Sequence, residues 1–278
     1  MAELATPWIC VTCGVQHAPS AEPPDACAIC LDERQYVPLD GQRWTTLEEM
    51  RQSGYRNVLE ELEPGLVAIR TERAFAIGQQ AYLVRTPDGN VLWDCISLLD
   101  DNTIAEVNRL GGISAIAISH PHFYDSCVEW AHAFDAPIHL PATDRRWVMR
   151  PDAAIHYFEQ DEIEPVEGTR LIRVGGHFHG STVLLWRAGA EGGGALLTGD
   201  SIATGGDPAS VTIMYSYPNR IPLSAAAVRD VADRALKHPF DRLYAGWKGD
   251  VIMSGASTAI RRSIERYAGM VDGTWPRS

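Results

Sequence analysis

The segment Ser119-His120-Pro121-His122-Phe123-Tyr124-Asp125 decides how this chain is read. It ends a nearly continuous apolar run, Ile113 to Ser119, of the kind that forms a buried strand. Pro121 biases His120 towards extended backbone. In extended chain, residues i and i+2 point the same way, so the spacing predicts His120 and His122 on one face at a strand end, a ready metal chelate. Three further segments carry polar side chains beside apolar runs. Gly175-Gly176-His177-Phe178-His179-Gly180-Ser181 lies between two predicted strands, and its glycines permit a sharp turn close to a ligand. Leu196-Leu197-Thr198-Gly199-Asp200 ends a predicted strand in a carboxylate, as does Val91-Leu92-Trp93-Asp94. Sites in sheet-based folds are assembled from polar groups at such strand ends.

Composition sets the outer limits. The 278 residues are 45% hydrophobic and 22% charged, which excludes wholesale disorder and a coiled coil. No run approaches the roughly 20 apolar residues of a membrane-spanning helix. Met1 to Pro7 lacks a basic start and an apolar core, so no secretion signal is read and a cytoplasmic location is expected. The net charge is −12 with no basic patch, which speaks against nucleic acid as a partner. A small-molecule substrate is expected instead, with no membrane partner.

Four of the six cysteines cluster near the start, as Cys10-x-x-Cys13 and Cys27-x-x-Cys30. Without a secretion signal, such pairs read as a metal site rather than disulfides. Four thiolates suit tetrahedral zinc or iron. A segment of about 40 residues cannot bury a self-sufficient core, so the metal is expected to supply its folding energy. The stretch around Trp8-Ile9-Cys10 resembles the opening knuckle of rubredoxin-like and zinc-ribbon modules. Such a module can be structural, redox-active or a dimerisation or docking element, so a homodimer is among the arrangements allowed. Cys95 and Cys127 stand alone in apolar contexts and read as buried small side chains.

Texture divides the chain into the cysteine module (1–38), a polar helical connector (39–64) and a larger unit (65–278). In the last, strands are predicted at Gly65 to Arg70, Ala81 to Thr86, Val91 to Ile96, Arg170 to Val174, Thr182 to Trp186, Ala195 to Thr198 and Arg242 to Ala245. The turn Thr86-Pro87-Asp88-Gly89-Asn90 predicts a hairpin. Helices are predicted at Leu99 to Leu110, Asp125 to Phe134, Ser224 to Lys237 and Ser257 to Ala268. Hairpins first, then strands alternating with helices, argue for a mixed α/β sandwich with helices outside.

The segments HPHFYD, GGHFHGS, LLTGD and VLWD together resemble the motifs of the metallo-β-lactamase-fold hydrolases, over residues 65 to 268. That resemblance implies an αββα sandwich with metals held at one edge between two sheets. It implies His120, His122, His177 and Asp200 as metal ligands. The departures matter equally. Tyr124 stands where the family pattern has Asp, Asp125 where it has His, and Trp247 where a late His is expected. The three-histidine site survives while the second site is degraded, so one catalytic ion is expected. Asp200 would be a fourth ligand or orient the water. Tyr124 would meet a substrate oxyanion or simply pack. His179 would face solvent or act as an accessory ligand or proton shuttle, and Asp94 would be a structural carboxylate beneath the metal loop.

The reaction expected is hydrolysis of an ester, thioester, lactone or amide by a zinc-bound hydroxide. Zinc on three neutral imidazoles lowers the pKa of its water from about 15.7 to near 7. Asp200, or failing it Asp125, would take the proton. Two alternatives stand beside it. Two histidines and a carboxylate can hold iron in a mononuclear non-haem oxidoreductase, and the degraded second site also fits a catalytically degenerate ligand-binding member.

Overall fold

The computed structural model describes residues 5–207 and 209–276 of the chain. The reading of Met1 to Pro7 as free of a secretion signal falls mostly outside these residues. Among the described residues, two sheets face each other. One contains seven strands in chain order: Arg56–Glu63, Leu66–Glu72, Ala81–Thr86, Gly89–Trp93, Ala115–Ala117, Ile138–Pro141 and Ile155–Phe158. Its first four strands run antiparallel and the rest parallel. The other sheet contains six: Glu162–Ile163, Thr169–Arg173, Thr182–Trp186, Ala195–Gly199, Arg242–Ala245 and Val251–Ile252.

Alternation along each strand separates the two faces of each sheet. Leu66, Ala68, Tyr82, Val84, Val91 and Trp93 meet Leu171, Leu184, Trp186, Ala195 and Leu197 in the core between the sheets. Val67, Ile69, Leu83, Leu92 and Ile116 face the other way, towards Cys127–Phe134. Ile172, Val183, Leu185 and Leu196 pack beneath Ala225–Ala235 and Ala256–Asp272. The result is the αββα sandwich. Each fully buried Leu, Ile or Val contributes roughly 1.5–3 kcal/mol of transfer free energy, so these layers dominate stability. Both faces of the central strands are covered, which is why they read as unbroken apolar runs.

Local chemistry sets the helix starts. The Asp100 side chain accepts from Thr103 N–H, and Ser224 does the same for Ala227 N–H. The hairpin at Pro87-Asp88 forms as expected, with Thr86 opposite Gly89.

The stretch 39–64 departs from the helical connector expected. It holds a two-residue strand, Trp44–Thr45, a short helix, Leu47–Gln52, and the edge strand Arg56–Glu63. The Leu- and Glu-rich sequence of that strand favours helix locally. Pairing with Leu66–Glu72 across the Pro64-Gly65 turn overrides it. The cysteine module is also not freestanding. Ile9–Cys10 pairs with Trp44–Thr45, and Trp44, Ile77, Trp147 and Met149 pack on the buried cysteines. Cys95 and Cys127 are buried, as expected. No helix among the described residues is long and apolar enough to cross a membrane.

Candidate metal centre

The strand Ala115–Ala117 delivers Ser119 and His120 to its end, and the chain then turns. His120 is extended, with φ −169° and ψ 168°. Pro121–Phe123 forms a short 3-10 turn, however, so His122 reaches its neighbour through a turn and not along an extended chain. The loop after Thr169–Arg173 brings in His177, and the strand Ala195–Gly199 brings in Asp200. The three imidazoles form a nearly equilateral triangle, with ring centroids 4.9, 5.0 and 5.1 Å apart. His120, His122, His177 and Asp200 each offer one donor atom, all within 4.8 Å of one another.

The donors fit a cation. His177 Nε2 lies 3.2 Å from His122 Nδ1, and Asp200 Oδ2 lies 3.7 Å from His120 Nε2. Ligands about 2.0–2.1 Å from a tetrahedral zinc sit about 3.3 Å apart, so little adjustment is needed. His120 Nε2 and Asp200 Oδ1 are buried and have no hydrogen-bond partner among the described residues. Such atoms are costly unless a ligand satisfies them. Second partners fix the rings. Ser119 Oγ lies 2.8 Å from His120 Nδ1, and His177 Nδ1 lies 3.1 Å from the Met214 carbonyl oxygen.

Burial also sets the charges. Desolvation holds His120 and His122 well below the ordinary imidazole range, helped by the neighbouring imidazole of His177 and, for His122, by Arg34. His177 is lowered to about 4, chiefly by desolvation. All three are therefore neutral at pH 7, the form that binds metal. Desolvation, reinforced by Asp94 and Asp250, raises Asp200 to about 8. A bound cation would reverse that last shift by favouring the carboxylate.

The remaining expected residues fall outside the four-donor group. The Asp125 carboxylate accepts from Ser97 Oγ and Gln79 Nε2, which commits it to a structural contact and removes it as a base or ligand. Tyr124 is buried in the apolar layer, and its hydroxyl has no partner among the described residues. An oxyanion role is therefore not supported by its position. His179 is exposed, lines a cleft with Asp144 and is not among the four converging donors. Trp247 packs on Phe123 and donates to the Ile77 carbonyl, adding apolar wall. Asp94 lies beneath the loop: its Oδ1 accepts Ser119 N–H at 2.7 Å, and burial raises it to about 7.

The four thiols form a second donor group. Cys10 and Cys30 sulfurs are 3.5 Å apart and those of Cys13 and Cys27 3.6 Å apart, with all four buried and none disulfide-bonded. Hydrogen bonding with Cys13, first among several causes, draws Cys10 down to about 7. Gln42 Nε2 donates to Cys10 Sγ at 2.9 Å.

Sequence reading missed what surrounds the imidazoles. Phe178 packs against all three rings and separates them from a cleft of about 450 Å³ lined by Arg34, Asp144, Trp147 and His179. Tyr217 lies 5.7 Å from His177 and donates to the Asp200 carbonyl. Arg34, from the cysteine module, donates to the His177 carbonyl oxygen. Phe178 stood inside a quoted motif, whereas an isolated Arg carries no pattern.

Fold and donors together define a metallo-β-lactamase-fold protein. Solved structures agree: the DIM-1 metallo-β-lactamase superposes with a TM-score of 0.58 at 10% identity, covering 77% of this chain and 98% of that one. FIM-1 from Pseudomonas aeruginosa, in its mono-zinc form, gives 0.54 at 14% identity over 79% and 97%. No protein-family model matches the chain. A curated relative does: the uncharacterized protein YmaE of Bacillus subtilis (strain 168) is 49% identical over 261 residues, covering 94% of this chain and 95% of that protein. The chain belongs to the YmaE family.

Proposed function

We propose that this chain is a metal-dependent hydrolase of an ester, thioester, lactone or amide, with one ion held by His120, His122 and His177 and with Asp200 beside the position left open for water. The observation that carries the reading is the buried convergence of those four residues, three of them (His120, His122 and Asp200) with a buried side-chain atom that lacks a partner among the described residues. Zinc at such a site supplies Lewis acidity and lowers the pKa of a coordinated water to about 7. The chain's own residues do the rest. Ser119 and the Met214 carbonyl orient the imidazoles. Asp200, with Oδ1 unengaged, orients the attacking water and receives its proton. The engagement of Asp125 by Ser97 and Gln79 favours one ion over two. Phe178, which touches all three imidazoles and also lines the neighbouring cleft, stands on the substrate's way in from that cleft.

Metal analysis and a panel of esters, thioesters and lactones test the reading. One equivalent of metal beyond the cysteine site and turnover of at least one class are expected, and His120→Ala should lose both. Retained hydrolysis in that variant, or two tightly held ions outside the cysteines, would defeat it.

A second reading, a mononuclear iron oxidoreductase, draws on one observation. Trp147 packs on the thiol cluster and lies 5.7 Å from Phe178, whose ring is 4.9 Å from His122. Two aromatic rings thus link thiols to imidazoles. Visible absorbance separates the readings: iron on four thiolates is red, and zinc is colourless.

A further inference from the structure

We propose that the four-cysteine site is an energetic part of the histidine site, with Arg34 as the positioning residue that couples them. The proposal rests on metal binding by the histidines, but not on which reaction follows. The short helix Ala28–Leu31 carries Cys30, and residues 32–35 leave it directly towards His177. Asp32 fixes the turn: its carboxylate accepts from Arg34 N–H at 3.0 Å and from the Arg34 guanidinium at 2.7 Å. Arg34 Nε then donates to the His177 carbonyl oxygen at 2.7 Å. Its guanidinium lies 4.5 Å from the Phe178 ring and 4.2 Å from the Tyr215 ring, stacked on both.

The same residues grip the segment that orients His177 from its other side. Ser216 Oγ donates to the Arg34 carbonyl at 3.0 Å, and Asn219 Nδ2 donates to the Glu33 and Gln35 carbonyls at 2.9 and 3.0 Å. Tyr215 hydroxyl donates to Glu33. Met214, one residue before Tyr215, supplies the carbonyl at His177 Nδ1. Both ends of His177, backbone and ring, are thus held by a strap whose start is fixed by a cysteine. Arg34 is 7% exposed, and its bond to the His177 carbonyl and the one it receives from Ser216 are buried, whereas the bonds of Tyr215 and Asn219 to Glu33 lie at the surface. Metal at the cysteines orders the strap and so pays in advance part of the entropy of ordering the histidines. By linkage the coupling is reciprocal.

Cobalt titration of the full chain tests this, because the two sites absorb differently: thiolate-to-cobalt charge transfer reports the cysteines, and ligand-field bands report the histidines. In Arg34→Ala, the cysteine bands should be unchanged while affinity at the histidines falls about 10–100-fold, the usual loss when an outer-shell partner of a ligand is removed. Asn219→Ala should shift affinity the same way, by less. Arg150→Ala is the control. Arg150 ties Gln16 of the module to Glu129, away from His177, so histidine-site affinity should stay as in the wild type. Wild-type affinity in Arg34→Ala overturns the proposal, and so does an equal loss in Arg150→Ala, which would mean general undocking. A wild-type chain that binds cobalt only at the cysteines refutes instead the reading of the histidines as a metal site.

Discussion

Gly14→Ala is expected to release the cysteine module from the rest of the chain, and the cost follows from two separable effects. Gly14 has φ +86°, a conformation that costs an L-residue roughly 1–2 kcal/mol. A Cβ there would also lie 2.4 Å from Asp125 Oδ1 and 2.7 Å from Ser97 Oγ. Neither atom can retreat cheaply. They are buried and bonded to each other, and Gln79 holds the other carboxylate oxygen. The backbone of the knuckle must therefore move away. That breaks the bond from Ser97 Oγ to the Gly14 carbonyl, at 2.9 Å, and strains the one from Gln16 N–H to the Asp125 carbonyl, also at 2.9 Å. Each is worth about 0.5–1.5 kcal/mol net. The sum is about 2–5 kcal/mol. Gly54→Ala isolates the conformational part, since Gly54 has φ +72° and nothing within 4 Å of the added carbon. Calorimetry on the metal-loaded chain should show Gly54→Ala lowering Tm by a few degrees, at about 2–4 °C per kcal/mol for a chain of this size. Gly14→Ala should lower it two- to three-fold further, with faster proteolysis of the module. Equal shifts for the two variants would refute the claim that Asp125 and Ser97 form a rigid seat for the knuckle.

Two further outcomes follow from the site. Tyr124→Phe should leave both stability and any turnover within about two-fold of wild type, because deleting a buried hydroxyl that lacks a partner among the described residues forfeits no bond; a hundred-fold loss of turnover would restore a catalytic role for it. Asp94 is raised from about 3.8 to about 7 by burial, so the native state keeps a proton that the unfolded chain releases. Its contribution is full below about pH 4 and is lost as pH rises through about 7, a swing on the order of 4 kcal/mol at 1.36 kcal/mol per unit. Denaturation of the chelator-treated chain at pH 4.5 and 7.5 should show a smaller loss with pH in Asp94→Asn than in the wild type, and equal losses would contradict the burial argument.

Much of this protein was legible from residues alone. His120, His122, His177 and Asp200 were marked by type and by their places beside apolar runs, because metal donors must be imidazole, thiolate or carboxylate and cannot be disguised. The sheets were legible because strands covered on both faces must be apolar throughout. Local sequence misled where long-range pairing outweighed propensity, as at Arg56–Glu63, which forms a strand only because Leu66–Glu72 lies alongside. Asp125, standing in the motif where the family pattern has His, read as a reserve proton acceptor behind Asp200. Only the arrival of Ser97, Gln79 and the Gly14 knuckle, from three separate parts of the chain, turned it into a structural anchor. Arg34 left no periodic or motif signal, and its reach to His177 spans 143 positions in the chain. The residue types by themselves determined which donors the protein possesses and which layers bury its core. Tertiary structure alone decided which donors meet and what holds them, because hydrogen bonds between distant segments depend on packing that no local pattern encodes.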